Sequence, residues 1–252
     1  MQARALDYLE RDVLRNIVAL KMLTAHDDVR CFHHSNQVGE AVMVLLEPQV
    51  FAYDREHYPD ADCIAIISSD HPSLTRELLA HLEKDQLVVF KLNSEADVTE
   101  VQKQFRVRKI RSFLSYTDTK PSVCDNDVLI SSKASVQMLE WIATEGHARD
   151  WLEPLLADNL AFCCELYNRH QQLESVCFAF ENHNTIWEIG GVFTPQASRG
   201  QGLATRTVRA AVAELQKRDK RSRFQVQENN LASIRVAQNA DLELFLTITH
   251  WF

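Results

Sequence analysis

The stretch GGVFTPQASRGQGLA, residues 190–204, constrains this chain more than any other. The whole sequence of 252 residues holds six glycines, and Gly190, Gly191, Gly200 and Gly202 all fall inside it. Glycine weakens strands and costs about 1 kcal/mol in a helix interior, so such a concentration marks a task for the backbone. Before it, IWEIGGVF reads as an apolar strand that breaks at Thr194-Pro195. After it, LATRTVRAAVAELQKR reads as an amphipathic helix. Strand, glycine loop and helix N-terminus in that order make a cradle for an anion. The first N–H groups of the helix have no internal partner, and the helix dipole adds roughly half a positive charge there. No lysine and hydroxyl follow the second glycine, and Thr205 stands where a dinucleotide loop has its third glycine. The two best-known phosphate loops are therefore excluded.

The rest of the chain frames this cradle. Residues 3–24 place Leu6, Leu9, Val13, Leu14, Ile17, Val18 and Met22 at helical spacing. The short apolar stretches VRCFHH, EAVMVLLE, QVFAYD and DCIAIISS then read as a strand meander. A helix start at Ser69-Asp70-His71-Pro72-Ser73 follows, then the strand LVVFKL, a helix over 95–104 and the strand RVRKIRSFLSYT. TDTKPSVCDNDV, residues 117–128, is polar and aperiodic and reads as a linker. Beyond it the cycle repeats. Helices over 132–145 and 150–156 precede three antiparallel strands, AFCCELYN, LESVCFAFEN and TIWEIGGVFT. A helix over 202–218, the strand RFQVQ, a helix over 231–238 and the strand ELFLTITHWF complete it. The spacing predicts a mixed α/β fold of two tandem related domains, residues 1–120 and 128–252. Each would be a largely antiparallel sheet flanked by helices.

Composition removes several classes of function. No apolar run approaches the roughly 20 residues needed to cross a bilayer, and MQARALDYLERDVLR is charged where a signal peptide is apolar, so the expected location is cytoplasmic. The net charge of −8 argues against a surface devoted to nucleic acid. The six cysteines form no CxxC pair, and His33-His34 has no partner at ligand spacing, so no metal is expected.

The cradle and a second segment together carry a resemblance. Ala197-Ser198-Arg199-Gly200-Gln201-Gly202 resembles the acyl-CoA loop of the GNAT N-acetyltransferase superfamily, Q/R-x-x-G-x-G/A after a strand. About thirty residues later, ENNLASIRVAQNADLELF is similar to that family's second motif, with Asn230 and Ser233 at its matching positions. The resemblance covers about residues 130–252, and the first half only by its order of elements. It implies acetyl-CoA as donor and no metal. Arg199, Gly200, Gln201, Gly202, Leu203 and Ala204 would hold the pyrophosphate, with Val192, Phe193 and Thr194 beside the pantetheine arm. It also implies a small-molecule or peptide amine as acceptor, no nucleic acid or membrane partner, and a monomer or homodimer. The chain departs from the pattern at Ala197, at Asp241-Leu242, and at Ala237, where many members carry a tyrosine acting as general acid. That last departure raises the alternative of a non-catalytic acyl-CoA sensor. With no glycine loop of its own, the first half is expected not to bind CoA.

Acyl transfer to an amine needs a route for a proton, because alkylammonium pKa values lie near 10. Glu188 lies on the strand before the loop, and alternation would put it on one face with Gly190 and Val192. It is the first candidate base, and His250 in THWF is the second. Glu165 and Tyr167 are candidate acceptor-cleft residues. Arg199, Arg206 and Arg209, with Lys217, Arg218, Lys220, Arg221 and Arg223 beyond them, form a local positive excess suited to a polyphosphate, although Lys217 to Arg221 read more simply as a solvated helix end.

Overall fold

The computed structural model describes residues 2–252, which divide into two compact units. The first takes residues 2–113 and Leu246–Phe252, and the second Leu114–Phe245.

In the first unit the long helix expected over 3–24 is two helices, α1 (Gln2–Leu9) and α2 (Val13–Ala25). The break falls where Asp12 accepts a hydrogen bond from the Arg15 N–H and so starts a new helix. Strands β1 (Arg30–Asn36) and β2 (Gly39–Leu46) form a hairpin, and β3 (Cys63–Ser69) pairs antiparallel with β2. Between them QVFAYD, expected as part of the meander, instead enters the helix α3 (Ala52–His57). Helix α4 (Pro72–Leu79) carries the chain over to β4 (Val88–Leu92), parallel to β3, and α5 (Glu95–Gln104) follows. The end of the last strand of the chain, β11 (Leu242–Trp251), pairs antiparallel with β4. Both faces of this sheet are covered. Ala41, Met43 and Leu45 meet Leu74 and Leu78 of α4, while Val42, Val44 and Leu46 meet Ala19 and Leu20 of α2. That is why AVMVLL reads as an unbroken apolar run rather than an alternation.

The second unit contains β6 (Val128–Ser131), α6 (Val136–Thr144), α7 (Arg149–Ala157), and the antiparallel strands β7 (Ala161–Tyr167), β8 (Leu173–His183) and β9 (Ile186–Phe193). Helix α8 (Leu203–Lys217), β10 (Arg221–Gln227) parallel to β9, and α9 (Leu231–Asn239) complete it. Its sheet also has two faces. Phe162, Cys164, Trp187 and Ile189 pack with α8, while Cys163, Val176 and Phe178 pack with α6 and α7. Both Cys163 and Cys164 are fully buried, on opposite faces, as their adjacency on a strand dictates.

The units divide at Phe113/Leu114, earlier than the polar stretch 117–128 suggests. That stretch is not a free linker. Ser122 donates its N–H to the Gln216 Oε1 of α8, and Asp125 is gripped by Arg206 of the same helix. The division falls instead within strands, in β5 (Lys109–Asp118) and again in β11, whose last residues belong to the first unit. Among the described residues no helix is long and apolar enough to cross a membrane.

Candidate functional site

Two irregularities of β9 build the site. The first is a bulge. Val176 of β8 faces Phe193, but Phe178, two residues on, faces Gly190, so β9 carries one extra residue there. Gly191 takes up the distortion at φ +58°, and a Cβ at that position would collide with the Phe178 ring. The bulge also resets the alternation. Ile189 and Val192 pack on the α8 side, while Phe193 packs with Phe178 on the other. The expected grouping of Glu188, Gly190 and Val192 on one face is thus corrected: Val192 has changed sides.

The second irregularity is a parting of strands. The parallel ladder between β9 and β10 runs through Ile186, Trp187 and Glu188 and ends at the pair Glu188–Arg223. Yet β9 continues to Phe193 and β10 to Gln227. Beyond the last rung, β9 has lost its neighbour on that side, which leaves backbone groups available to a ligand laid along it.

The loop after β9 leads into α8 with little internal satisfaction. Thr194 O accepts from Arg199 Nε at 2.9 Å, closing the short turn Gln196–Ser198. Gly200 and Gly202 have φ of +79° and +77°, and a Cβ on either would meet nothing within 4 Å. Gly202 is the N-cap of α8 and no side chain caps the helix. The first N–H to bond back is that of Arg206, onto Gly202 O at 3.1 Å, so Leu203, Ala204 and Thr205 keep unpaired N–H groups. An uncapped fifteen-residue helix with open space before it leaves these donors and the positive end of the helix dipole facing outward. Helix α4, at the matching place in the first unit, is the opposite case. Only two residues separate it from the end of β3, Pro72 is in its first turn, and His71 Nδ1 accepts the Ser73 N–H at 3.2 Å. Its N-terminus is already satisfied.

The charges around the loop are mostly spent. Arg206 makes a bidentate pair with Asp125 and a second contact to Asp127, at 2.6 to 2.9 Å, and these carboxylates push its pKa upward. Arg209 holds Asp241 and the Asn239 carbonyl. Arg199, exposed, has only the Thr194 carbonyl. Of the three arginines at or just after the loop, it alone has no carboxylate partner. Asn230 Oδ1 accepts the Ser233 N–H at 3.1 Å, so the pair caps α9. Ala237 is fully buried in the core beneath that helix.

Glu188 sits at the point where β9 and β10 part. Its Oε2 accepts from Arg223 Nη1 and from Asn182 Nδ2, and its Oε1 accepts the N–H of Gln225 at 3.2 Å. Arg223, only 3% exposed, also reaches Ser115 Oγ at 3.2 Å. Asn182 and Ser115 carry no mark in the sequence, and Arg223 stands there only as one of the basic residues beyond the loop. IWEIGGVF carries one acid, Glu188, and RSRFQVQ places Arg223 on its polar face, so nothing in the sequence marks the two as buried partners. Glu165 is buried and accepts from the Ser135 N–H and the Tyr167 hydroxyl, so both residues anchor the start of α6. His250 belongs to the other unit from the glycine loop. There Tyr58 Oη lies 2.6 Å from its Nδ1, and Phe113 and Tyr53 pack around it. Burial first, then the charges of Lys91, Arg111 and His57, push its pKa down to about 2 and keep it neutral. Among the described residues, no group of three or more His, Cys, Asp or Glu side chains could hold a metal ion.

Residues 78–243 match the family model for the acetyltransferase (GNAT) domain, and the chain belongs to that family. No curated protein matches the sequence. Among solved structures, a GCN5-related N-acetyltransferase-like protein from Streptococcus suis superposes with a TM-score of 0.53 at 16% identity, covering 99% of this chain and 97% of that one. A GCN5-related N-acetyltransferase from Sphaerobacter thermophilus gives 0.54 at 14%, covering 84% and 76%. A tandem GNAT protein from the clavulanic acid biosynthesis pathway gives 0.50 at 10%, covering 94% and 86%. At these identities the likeness speaks for the fold, including its tandem form.

Proposed function

We propose that this protein transfers an acetyl group from acetyl-CoA directly to a primary amine of a small molecule or peptide, and that the second unit does the chemistry. The observation that carries this is the uncapped start of α8 behind Gly200 and Gly202, at the end of a strand that has parted from its neighbour. A pyrophosphate fits there. The N–H groups of Leu203, Ala204 and Thr205 would donate to it, the loop backbone at Gly200 and Gln201 would approach closely, and Arg199 would add charge. The freed edge of β9 at Val192, Phe193 and Thr194 would pair with the amides of the pantetheine arm. Asn230 and Ser233 would act through the position of α9.

The neutral acceptor nitrogen attacks the thioester carbonyl, the C–N bond forms, the C–S bond breaks, and sulfur leaves as the thiolate, which takes a proton from solvent water. The amine proton must pass to a base, and Glu188 is the carboxylate at the apex of the parted strands. It has four acceptor positions and three donors, which leaves one for a water or the amine itself. Such a base contributes about 10²–10⁴-fold. His250, buried, neutral and bonded to Tyr58, takes a packing role in this account.

The second reading is an acyl-CoA-binding sensor, and one observation favours it: the buried Ala237 supplies no acid. Thiol release from acetyl-CoA, followed across amino acids, polyamines, aminoglycosides and peptides, decides between the two. Transfer predicts release above hydrolysis with at least one amine, and a fall of about 10²-fold in kcat for Glu188→Gln. Binding of acetyl-CoA without release by any amine would favour the sensor.

A further inference from the structure

The ion pair at the apex of the parted strands is expensive in the way functional groups are. Arg223 is 3% exposed, its Nε is buried without a partner, and Asn182 Oδ1 is likewise buried and unpaired. Burying a guanidinium is repaid only when its partners are well placed, and two orphaned polar atoms mark a network that packing alone does not explain. Its geometry is specific. The last rung of the ladder is Glu188–Arg223, and the N–H of Gln225, two residues further along β10, bonds to the Glu188 carboxylate. A side chain has thus replaced the backbone of β9 as the acceptor for β10. The same carboxylate is turned by Arg223 and Asn182 so that Oε2 is filled by them and Oε1 keeps one open position. Arg223 is in turn fixed through Nη2 by Ser115 of β5.

We infer that Arg223 is a positioning residue for acyl transfer: with Asn182 it orients the Glu188 carboxylate as both the wedge that ends the ladder and the proton acceptor at its mouth. This rests on the acyl-transfer reading above. Arg223 touches neither reactant; it acts through Glu188. A planar guanidinium forks to Glu188 and Ser115 at once, which an ammonium on a flexible stem does only in part.

The test uses the full chain with Arg223→Met, Arg223→Lys, Glu188→Gln and the double variant Glu188→Gln/Arg223→Met. Arg223→Met is expected to lower kcat by about tenfold or more while the acetyl-CoA Kd and the acceptor KM stay within about threefold. Arg223→Lys should recover part of that loss. The double variant should be no slower than Glu188→Gln alone, because residues acting as one unit are not additive. Amide exchange at Gln225 reads the wedge without turnover, and its protection should fall in Arg223→Met and return in Arg223→Lys. Unchanged kcat in Arg223→Met, multiplicative losses in the double variant, or an unmoved Gln225 amide would each overturn the inference and leave acyl transfer standing. A native protein that binds no acetyl-CoA, or acetylates no amine, would overturn both.

Discussion

Gly191 is under two constraints that no other residue type meets. Its φ of +58° strains any side chain, and the Phe178 ring occupies the place of its Cβ. Gly191→Ala is therefore expected to destabilise the protein by about 2–4 kcal/mol, read as a lowered urea midpoint at unchanged slope. A loss under about 0.5 kcal/mol would mean that the bulge does not need glycine. His250 makes a prediction of different kind. Its folded pKa, about 2, lies below the unfolded value near 6.5, so below pH 6.5 the unfolded chain takes up a proton that the folded chain refuses. The stability it contributes is present above pH 6.5 and lost as pH falls toward 2. Stability measured between pH 7.5 and pH 5 should fall less in His250→Phe than in the native protein, and equal slopes would contradict the buried neutral state. At this scale the sequence was readable where a residue's type implies its conformation. Gly200 and Gly202 could be read as positions where the backbone needs glycine, and both have a positive φ. Arg223 could not be read from its type, since a buried and an exposed arginine look alike until a strand partner is known.

Among elements, the two helices that cross between parallel neighbours, α4 from β3 to β4 and α8 from β9 to β10, show what the loop contributes. Two residues separate β3 from α4, which is capped by His71; nine separate β9 from α8, whose N-terminus has no side-chain cap. The same fold position is closed in one unit and open in the other. At α9, Asn230 supplies a cap that α8 lacks, and Asn230→Ala should cost about 1 kcal/mol in thermal or urea unfolding. A neutral result there would leave the capping account without support. Long periodic elements were legible in advance: α8, β8 and β9 lie within a residue or two of their expected limits. Short ones were not. QVFAYD is too brief to show a helical period, and the capping by Asp12 hides inside an apolar pattern that runs on regardless.

For the whole molecule, the recurring order of elements was visible as a tandem, and the boundary between units was not. Polar composition pointed to 117–128, whereas the division falls inside β5 and β11, where a strand continues without any change of pattern. The polar stretch is tied to α8 through Asp125 and Ser122. The units differ in one respect that bears on function: one has an open helix start and the other does not. Calorimetric titration with acetyl-CoA tests this most directly, using the native protein, Gly202→Glu at the start of α8, and Ser73→Glu at the start of α4. One site per chain is expected, weakened at least about tenfold in Gly202→Glu with the thermal midpoint largely kept, and unchanged in Ser73→Glu. Binding that survives Gly202→Glu, or that is lost in Ser73→Glu, would contradict it.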